Sequence, residues 1–443
     1  MASLSGFASI TKVPELRRRI AFVLMVLALY RVGVFITIPG VDRGVMKEVV
    51  AGGSGLLGLF NLFSGGALEN LSVFALGIMP YISASIIMQL LGMVSKQVEE
   101  LKKEGEAGRR KLEQYTRYGT IVLSIFQGLG IAFMLEGLQN QSLGGGRFGD
   151  VVTNAGWGFR LTAIITLTTG TTLLMWLGEQ ATERGIGNGI SLIIFGGIVS
   201  GVPSGVTNYL AANAGQIQPL TIALVLGVIL GCVAVVVFFE QAQRRIPIQY
   251  ARRQVGRRIY GGQQAHLPLK VNMASMIPPI FASSLLAFPA TLSSFNIPGM
   301  QGFSAALNRQ DWVFHTLFGV MIIFFCFFYT AVTFQPVDVA DNLKKQQANI
   351  PGIRPGKHTA EYIDRVLTRL TVGGSIYVAA ICIVPALVAQ SLKVPFQFGG
   401  TSLMIVVGVA LETSKQIEAH LITRSYEGLT GPRTTRLSGR RPA

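Results

Sequence analysis

Long apolar runs separated by shorter polar segments dominate the chain. Ten of them approach the ~20 residues that a bilayer core demands, at about 20–38, 77–94, 119–136, 157–177, 186–202, 219–239, 273–292, 312–334, 371–389 and 400–419. Apolar character sustained over that length predicts membrane helices. The first run follows Lys12, Arg17, Arg18 and Arg19, has no small-residue cleavage site and leads on to further runs, so it reads as a retained span. One segment fits neither class. FNLFSGGALENLSVFALG, residues 60–77, stands directly before the second run, too polar to cross a bilayer and too apolar to rest in water.

The polar positions carry a second pattern. Nearly all Lys and Arg lie at the two termini and in the segments near 95–118, 240–272 and 335–370, whereas residues 203–220 contain none. The positive-inside rule puts both termini and the three basic loops in the cytoplasm, as an even number of spans requires. The chain then divides into a cytoplasmic N-terminus (1–19), an N-terminal half of spans one to five (20–215), a C-terminal half of spans six to ten (216–420) and a basic cytoplasmic tail (421–443). PYISAS at the start of span two and PPIFAS in span seven share Pro-x-Ile-x-Ala-Ser five spans apart. A repeat of five spans makes the halves inverted with respect to the membrane, a common plan of transport proteins. Small residues in both segments, Ser83, Ala84 and Ser85 against Ala282, Ser283 and Ser284, permit close helix contact.

Composition agrees. Half of the 443 residues are hydrophobic and 14% are charged, against about 25% in soluble domains; mean hydropathy is +0.49 and the formal net charge is +16. Ionisable residues inside spans usually mark ion or substrate paths, and few occur. Arg31, Glu412 and Lys415 interrupt spans, while Glu136, Glu179 and Glu240 stand at helix ends; snorkelling or helix-end placement is the expectation for each. That scarcity disfavours an ion-coupled secondary transporter, which ten spans and an inverted repeat would otherwise fit. Cys232, Cys326 and Cys382 lie in apolar runs without CxxC spacing and read as packing residues. His266, His315, His358 and His420 form no HExxH, and TERGIGNGIS (182–191) does not follow a soluble strand as a phosphate loop would. An intramembrane protease or lipid-modifying enzyme would need a nucleophile with a base, and none is apparent. Neither enzyme activity nor a cofactor or metal is expected.

Several stretches together carry a family resemblance. NLFSGGAL (61–68), FALGIMPYISASII (74–87), KKEGEAGRRK (102–111), QYTRYGT (114–120), MWLGEQATERGIGNGIS (175–191), HLPLKVNMA (266–274), FFCFFYTA (324–331), ADNLKKQ (340–346), PGIRPG (351–356) and FGGTSLMIVV (398–407) follow in order through loops and spans. With them the chain resembles the SecY/Sec61-alpha family of protein-conducting channels. The resemblance implies an all-α integral membrane protein with ten transmembrane helices in two inverted five-helix halves around an hourglass pore. It also implies a channel that passes unfolded polypeptides across, and releases transmembrane segments laterally into, the bacterial plasma (inner) membrane, both termini being cytoplasmic.

Residue roles follow from the same resemblance. Residues 58–74 become a short re-entrant helix, the plug, with Asn61, Phe63, Ser64, Gly65, Gly66 and Leu68. Backbone short of a full span is acceptable at membrane depth only inside protein or a watery cavity. Ile78, Ile82, Ile194, Ile280 and Ile405 become an apolar pore ring. Ser83, Gln89, Gln127, Asn272 and Phe288 line a lateral gate between spans two and seven, closed in part by interhelical hydrogen bonds; the Pro278–Pro279 pair has one proline more than the family pattern. Arg257, Arg258, Arg354 and Tyr362 become docking positions for the ribosome or the motor ATPase SecA. The implied partners are SecE and SecG, SecA, the ribosome, signal sequences with nascent polypeptides, and membrane lipids, with no specific DNA binding.

Overall fold

The computed structural model describes residues 13–41, 44, 61, 64–138, 152, 155–212, 219–250, 253–255, 258–260, 264–293, 311–391 and 399–430. Ten helices coincide with the ten apolar runs: α1 (Pro14–Val34), α2 (Met79–Val94), α4 (Glu106–Leu138), α5 (Trp157–Arg184), α6 (Gly189–Ala212), α7 (Pro219–Gln241), α8 (Ile277–Ser293), α9 (Asp311–Thr333), α11 (Lys357–Ser391) and α12 (Gly400–Thr430). Two shorter ones, α3 (Lys96–Lys103) and α10 (Pro336–Lys345), lie in the basic loops. Among the described residues, α4, α5, α6, α9 and α11 each carry a stretch long and apolar enough to cross a membrane; α2, α7 and α8 are apolar over shorter stretches. Charges interrupt the other two, Arg31 in α1 and Glu412 with Lys415 in α12.

Proline punctuates these helices in ways their position explains. Pro14, Pro80 and Pro336 occupy the first turn of α1, α2 and α10, where the N–H has no intrahelical partner to lose. Pro278 and Pro279 likewise fall in the first turn of α8, which absorbs the extra proline. Pro203, Pro289 and Pro385 lie inside their helices, a placement that membrane helices tolerate more readily than soluble ones.

The repeat visible in two six-residue strings extends to the packing. In the N-terminal half α4 packs on α5 and α2, α5 on α6, and α1 on both α5 and α6; in the C-terminal half α9 packs on α11 and α8, α11 on α12, and α7 on both α11 and α12. These pairs correspond one to one after a shift of five spans. The halves meet through α2 against α8, α4 against α8, and α6 against α12. A single apolar core runs through both, from Val34 and Leu135 to Ile322 and Met404.

A second, smaller core lies outside the membrane helices. Strand β1 (Gln243–Tyr250) is flanked by β4 (Gln264–Lys270) and β5 (Ala348–Asn349) in the order β4-β1-β5, and both pairings are antiparallel, with Ile246 opposite Leu267 and Gln249 opposite Asn349. Strands β2 (Arg253–Val255) and β3 (Arg258–Tyr260) pair separately. Ile246 and Ile248 point from β1 into a cluster with Leu269, Leu343 of α10, Ile350 and Ile363 of α11. The described parts of the basic loops 240–272 and 335–370 therefore fold as one body, while the spans themselves are helical.

Candidate functional site

All five predicted ring isoleucines are buried: Ile78 at the N-cap of α2, Ile82 on α2, Ile194 on α6, Ile280 on α8 and Ile405 on α12. They belong to one apolar cluster. Two of the junctions between the halves, α2 with α8 and α6 with α12, are made by the four helices that carry these residues. The geometry thus gathers aliphatic side chains from both halves where the halves meet.

The segment before α2 is held inside the protein; Asn61 is helical, and the described residues from 64 onward depart from the expected short helix. Residues 64–77 form a succession of turns closed by i to i−3 bonds such as Ala67 N to Ser64 O (3.1 Å), Leu71 N to Leu68 O (3.0 Å) and Ala75 N to Ser72 O (2.8 Å). Left-handed backbone at Gly65 (φ 60°), Gly66 (83°), Leu71 (41°) and Gly77 (57°) interrupts the right-handed torsions that a helix needs. Phe63, predicted to belong here, lies outside the described residues, as do residues 58–60. Asn61 and Ser64 organise the first turns. The Ser64 hydroxyl donates to Asn61 O (3.1 Å) and accepts from Leu68 N (3.2 Å), and Asn61 Oδ1 accepts from Glu69 N (3.0 Å). Leu68 is buried.

Three spans close around this segment. Ile38 N donates to Leu71 O and Val73 N to Ile36 O, both at 2.9 Å, so the chain after α1 pairs with it like a strand. Glycines set the other approaches. Gly170 of α5 faces the Val73 carbonyl, Gly33 of α1 faces the Phe74 ring, and a Cβ on Gly65 would lie 2.6 Å from Gly197 Cα of α6. Two polar side chains of α1 complete the enclosure: Tyr30 Oη donates to Ser64 O (2.7 Å) and Arg31 Nη1 donates to Gly65 O (3.0 Å). Arg31 was expected only to snorkel; its partner is a backbone carbonyl 34 residues away, which no local pattern reveals.

At the α2–α8 seam the expectation of interhelical hydrogen bonds is revised. Gln89 Nε2 donates to Ser85 within its own helix (3.3 Å), and Gln89 Oε1 and Gln127 Oε1 are buried without a hydrogen-bond partner. Half-buried Ser83 belongs to α2. Asn272 is buried but bonds away from the seam: its Nδ2 donates to Glu240 Oε1 of α7 (2.7 Å) and to Ser275 O (3.2 Å), while Ser275 Oγ reaches Glu240 Oε2 (3.4 Å). These bonds lie within the C-terminal half because Glu240 ends α7 beside the entrance to α8. Among the described residues the polar contact that crosses is a weak one, Ser284 Oγ to Met79 Sδ at 3.8 Å. Phe288 falls in α8, and its side chain lies outside the described residues.

On the loop body Arg354 is exposed, in a turn where Gly352 (φ 80°) and Gly356 (φ 97°) take left-handed backbone. Thr359 Oγ1 donates to the Arg354 carbonyl (2.9 Å), tying that turn to α11. Tyr362 packs on the edge of the second core, one turn along α11. Arg258 is in β3, its side chain outside the described residues, and Arg257 lies outside them altogether. Arg244, Arg245, Lys344 and Lys345 are exposed on the same body.

Comparisons with known proteins bear on the whole chain. The SecY family profile matches residues 72–414. The protein translocase subunit SecY of Escherichia coli (strain K12) is 51% identical over 420 residues, covering 93% of each chain. The protein of the same name from Rickettsia conorii is 49% identical over 421 residues, covering 94% of this chain and 96% of the relative. A solved protein-conducting channel superposes with a TM-score of 0.64 at 18% identity over 96% of this chain and 99% of the other. Sec61 from the canine ribosome-channel complex of the endoplasmic reticulum gives 0.61 at 17% identity with the same coverage.

Proposed function

We propose, from the premise that this chain belongs to the SecY family and is a multi-pass protein-conducting channel rather than an enzyme, a division of labour among its residues. Ile78, Ile82, Ile194, Ile280 and Ile405 form the ring through which an unfolded polypeptide passes. Aliphatic side chains exclude water around a moving chain yet offer no charge or binding site that would select a sequence. The supporting observation is that all five are buried in one cluster on the helices that join the halves.

Residues 58–74 act as the plug that fills the path when no substrate is present. The α2–α8 seam acts as the lateral gate. A segment resting there partitions by its own hydrophobicity, Leu or Ile being favourable by a few tenths of a kcal/mol and a central Lys or Asp unfavourable by roughly 3 kcal/mol. Small residues and apolar contacts at the seam leave little for such a segment to displace.

The channel carries no chemistry of its own; SecA or the translating ribosome supplies the energy, and SecE and SecG complete the complex. The canine relative sits in a ribosome-channel complex. The loop body built from 240–272 and 335–370 presents exposed arginines and lysines, which suit polyanionic ribosomal RNA and make Arg354 the leading docking position, with Tyr362 behind it. Basic loops and termini orient both ends of the chain to the cytoplasm of a bacterial inner membrane.

Site-specific cross-linking tests the ring. Single cysteines at Ile78, Ile82 and Ile280, in a channel freed of Cys232, Cys326 and Cys382, are expected to trap a preprotein stalled midway, while exposed Val235 does not. Preprotein that binds the vesicles without reaching any of the three would displace the ring from this position. For docking, Arg354→Glu is expected to abolish SecA-driven export with the membrane fold intact, and normal export would remove Arg354 from that surface.

A further inference from the structure

We infer that Tyr30 and Arg31 of α1 form a latch that holds the plug closed by its main chain; the inference rests on reading residues 58–74 as the plug. A helix satisfies its own carbonyls, but a succession of turns at membrane depth leaves some without partners, and an unpaired buried carbonyl is costly. Gly65 O has no backbone donor among the described residues, and Ser64 O, which accepts from Ala67 N (3.1 Å), has a second lone pair to satisfy. Adjacent residues of α1 supply their donors, Tyr30 Oη at 2.7 Å and Arg31 Nη1 at 3.0 Å.

The surroundings fix both donors in place. The Tyr30 ring is buried and stacks on Phe74 at 5.9 Å between centroids, so the latch also grips the far end of the plug segment. The Arg31 guanidinium lies 5.3 Å from the Phe35 ring centroid. Gly65 is what allows the approach, since a Cβ there would stand 2.8 Å from Tyr30 Oη as well as against Gly197. Because the acceptors are main-chain atoms, exchanging plug side chains other than at Gly65 leaves both bonds available. A plug that swings into a watery funnel regains water at both carbonyls, so the latch is directional but reversible, as a gate on a working channel requires.

The test uses the full channel complex in vesicles, read by halide influx and by maleimide labelling of Leu68→Cys in the cysteine-free background. Tyr30→Phe removes one oxygen and keeps the stacked ring; loss of its bond is expected to raise influx and labelling by about fivefold, and Arg31→Gln, which loses a charged donor, by more. Arg31→Lys, which keeps a charged donor, is expected to restore part of the seal. A channel deleted of residues 61–70 provides the reference for an absent plug. If the deletion leaks while Tyr30→Phe and Arg31→Gln stay at the parental level in both readouts, the latch is overturned and the plug reading stands. If the deletion does not leak, the plug reading falls and the latch with it. Should Arg31→Gln fail to insert, Tyr30→Phe alone decides.

Discussion

The segment proposed as the plug and the seam proposed as the gate are held in opposite ways. The plug is gripped through its backbone, by Tyr30, Arg31, strand-like pairing with residues 36–38, and glycine contacts that leave no room for a Cβ. The seam between α2 and α8 is closed by small and apolar surfaces, with its strong polar bonds turned inward to each half, as Asn272 turns to Glu240. Opening the plug means breaking directional bonds, whereas opening the seam means exchanging one apolar neighbour for another. A hydrophobic signal segment can do the second by itself. The first needs the arriving polypeptide to displace a structure that has water waiting on the other side.

The sharpest way to break this comparison uses two neighbouring glycines. Gly65 and Gly66 both have left-handed backbone, but a Cβ on Gly65 meets Gly197 and Tyr30, while nothing stands within 4 Å of one on Gly66. Gly65→Ala is therefore expected to destabilise the seated plug by about 2–4 kcal/mol, combining torsional cost with overpacking, and to be read as constitutive halide leak. Gly66→Ala is expected to carry the torsional cost alone, about 1 kcal/mol. Equal leak from the two would mean that the close approach to α6 does not hold the plug.

Next in size is the anchor at the entrance to α8. Asn272→Leu leaves the Glu240 carboxylate without its 2.7 Å donor, a loss of about 2–3 kcal/mol for a bond to a charged group, visible as a lower unfolding temperature in detergent. Adding Glu240→Leu is expected to recover part of it, with a coupling of about 1–3 kcal/mol in the double-mutant cycle. Both changes act inside the C-terminal half, so the hydrophobicity that a segment needs for insertion should move little. A large change in that threshold with unchanged thermal stability would show that Asn272 bonds across the seam in another state. The smallest effect is expected at Ser284→Ala, below about 1 kcal/mol, since across the seam only a 3.8 Å sulfur contact is lost, beside a 2.8 Å bond to Ile280 O within α8. A pronounced shift in insertion threshold there would make the seam polar after all.

Much of the architecture was legible along the chain, and the part that was not has a common cause. Hydropathy and charge are local, so the spans, the basic loops and the repeat of Pro-x-Ile-x-Ala-Ser could be read without a structure. The isoleucines proposed for the pore could not be told from packing residues, because Ile82 and Ile280 differ from any buried isoleucine only by the helices they face. The plug was anomalous in composition, but its turns depend on left-handed torsions at Gly65, Gly66, Leu71 and Gly77, one of them at a leucine, which composition does not announce. The basic loops looked like two separate stretches because nothing in either signals that Ile248 and Ile363 share a core.

By itself the sequence determined that this is a membrane protein of ten spans with basic loops on one side and a repeated half, since the cost of burying charge and of leaving a bilayer acts on each segment alone. Tertiary structure alone decided which partners the few polar groups take: Arg31 a carbonyl of the plug, Asn272 the carboxylate that ends α7, and two distant loops a common sheet. Those choices depend on groups brought together from 32 to 34 residues apart for the first two and from still farther for the sheet, and no local preference can specify them.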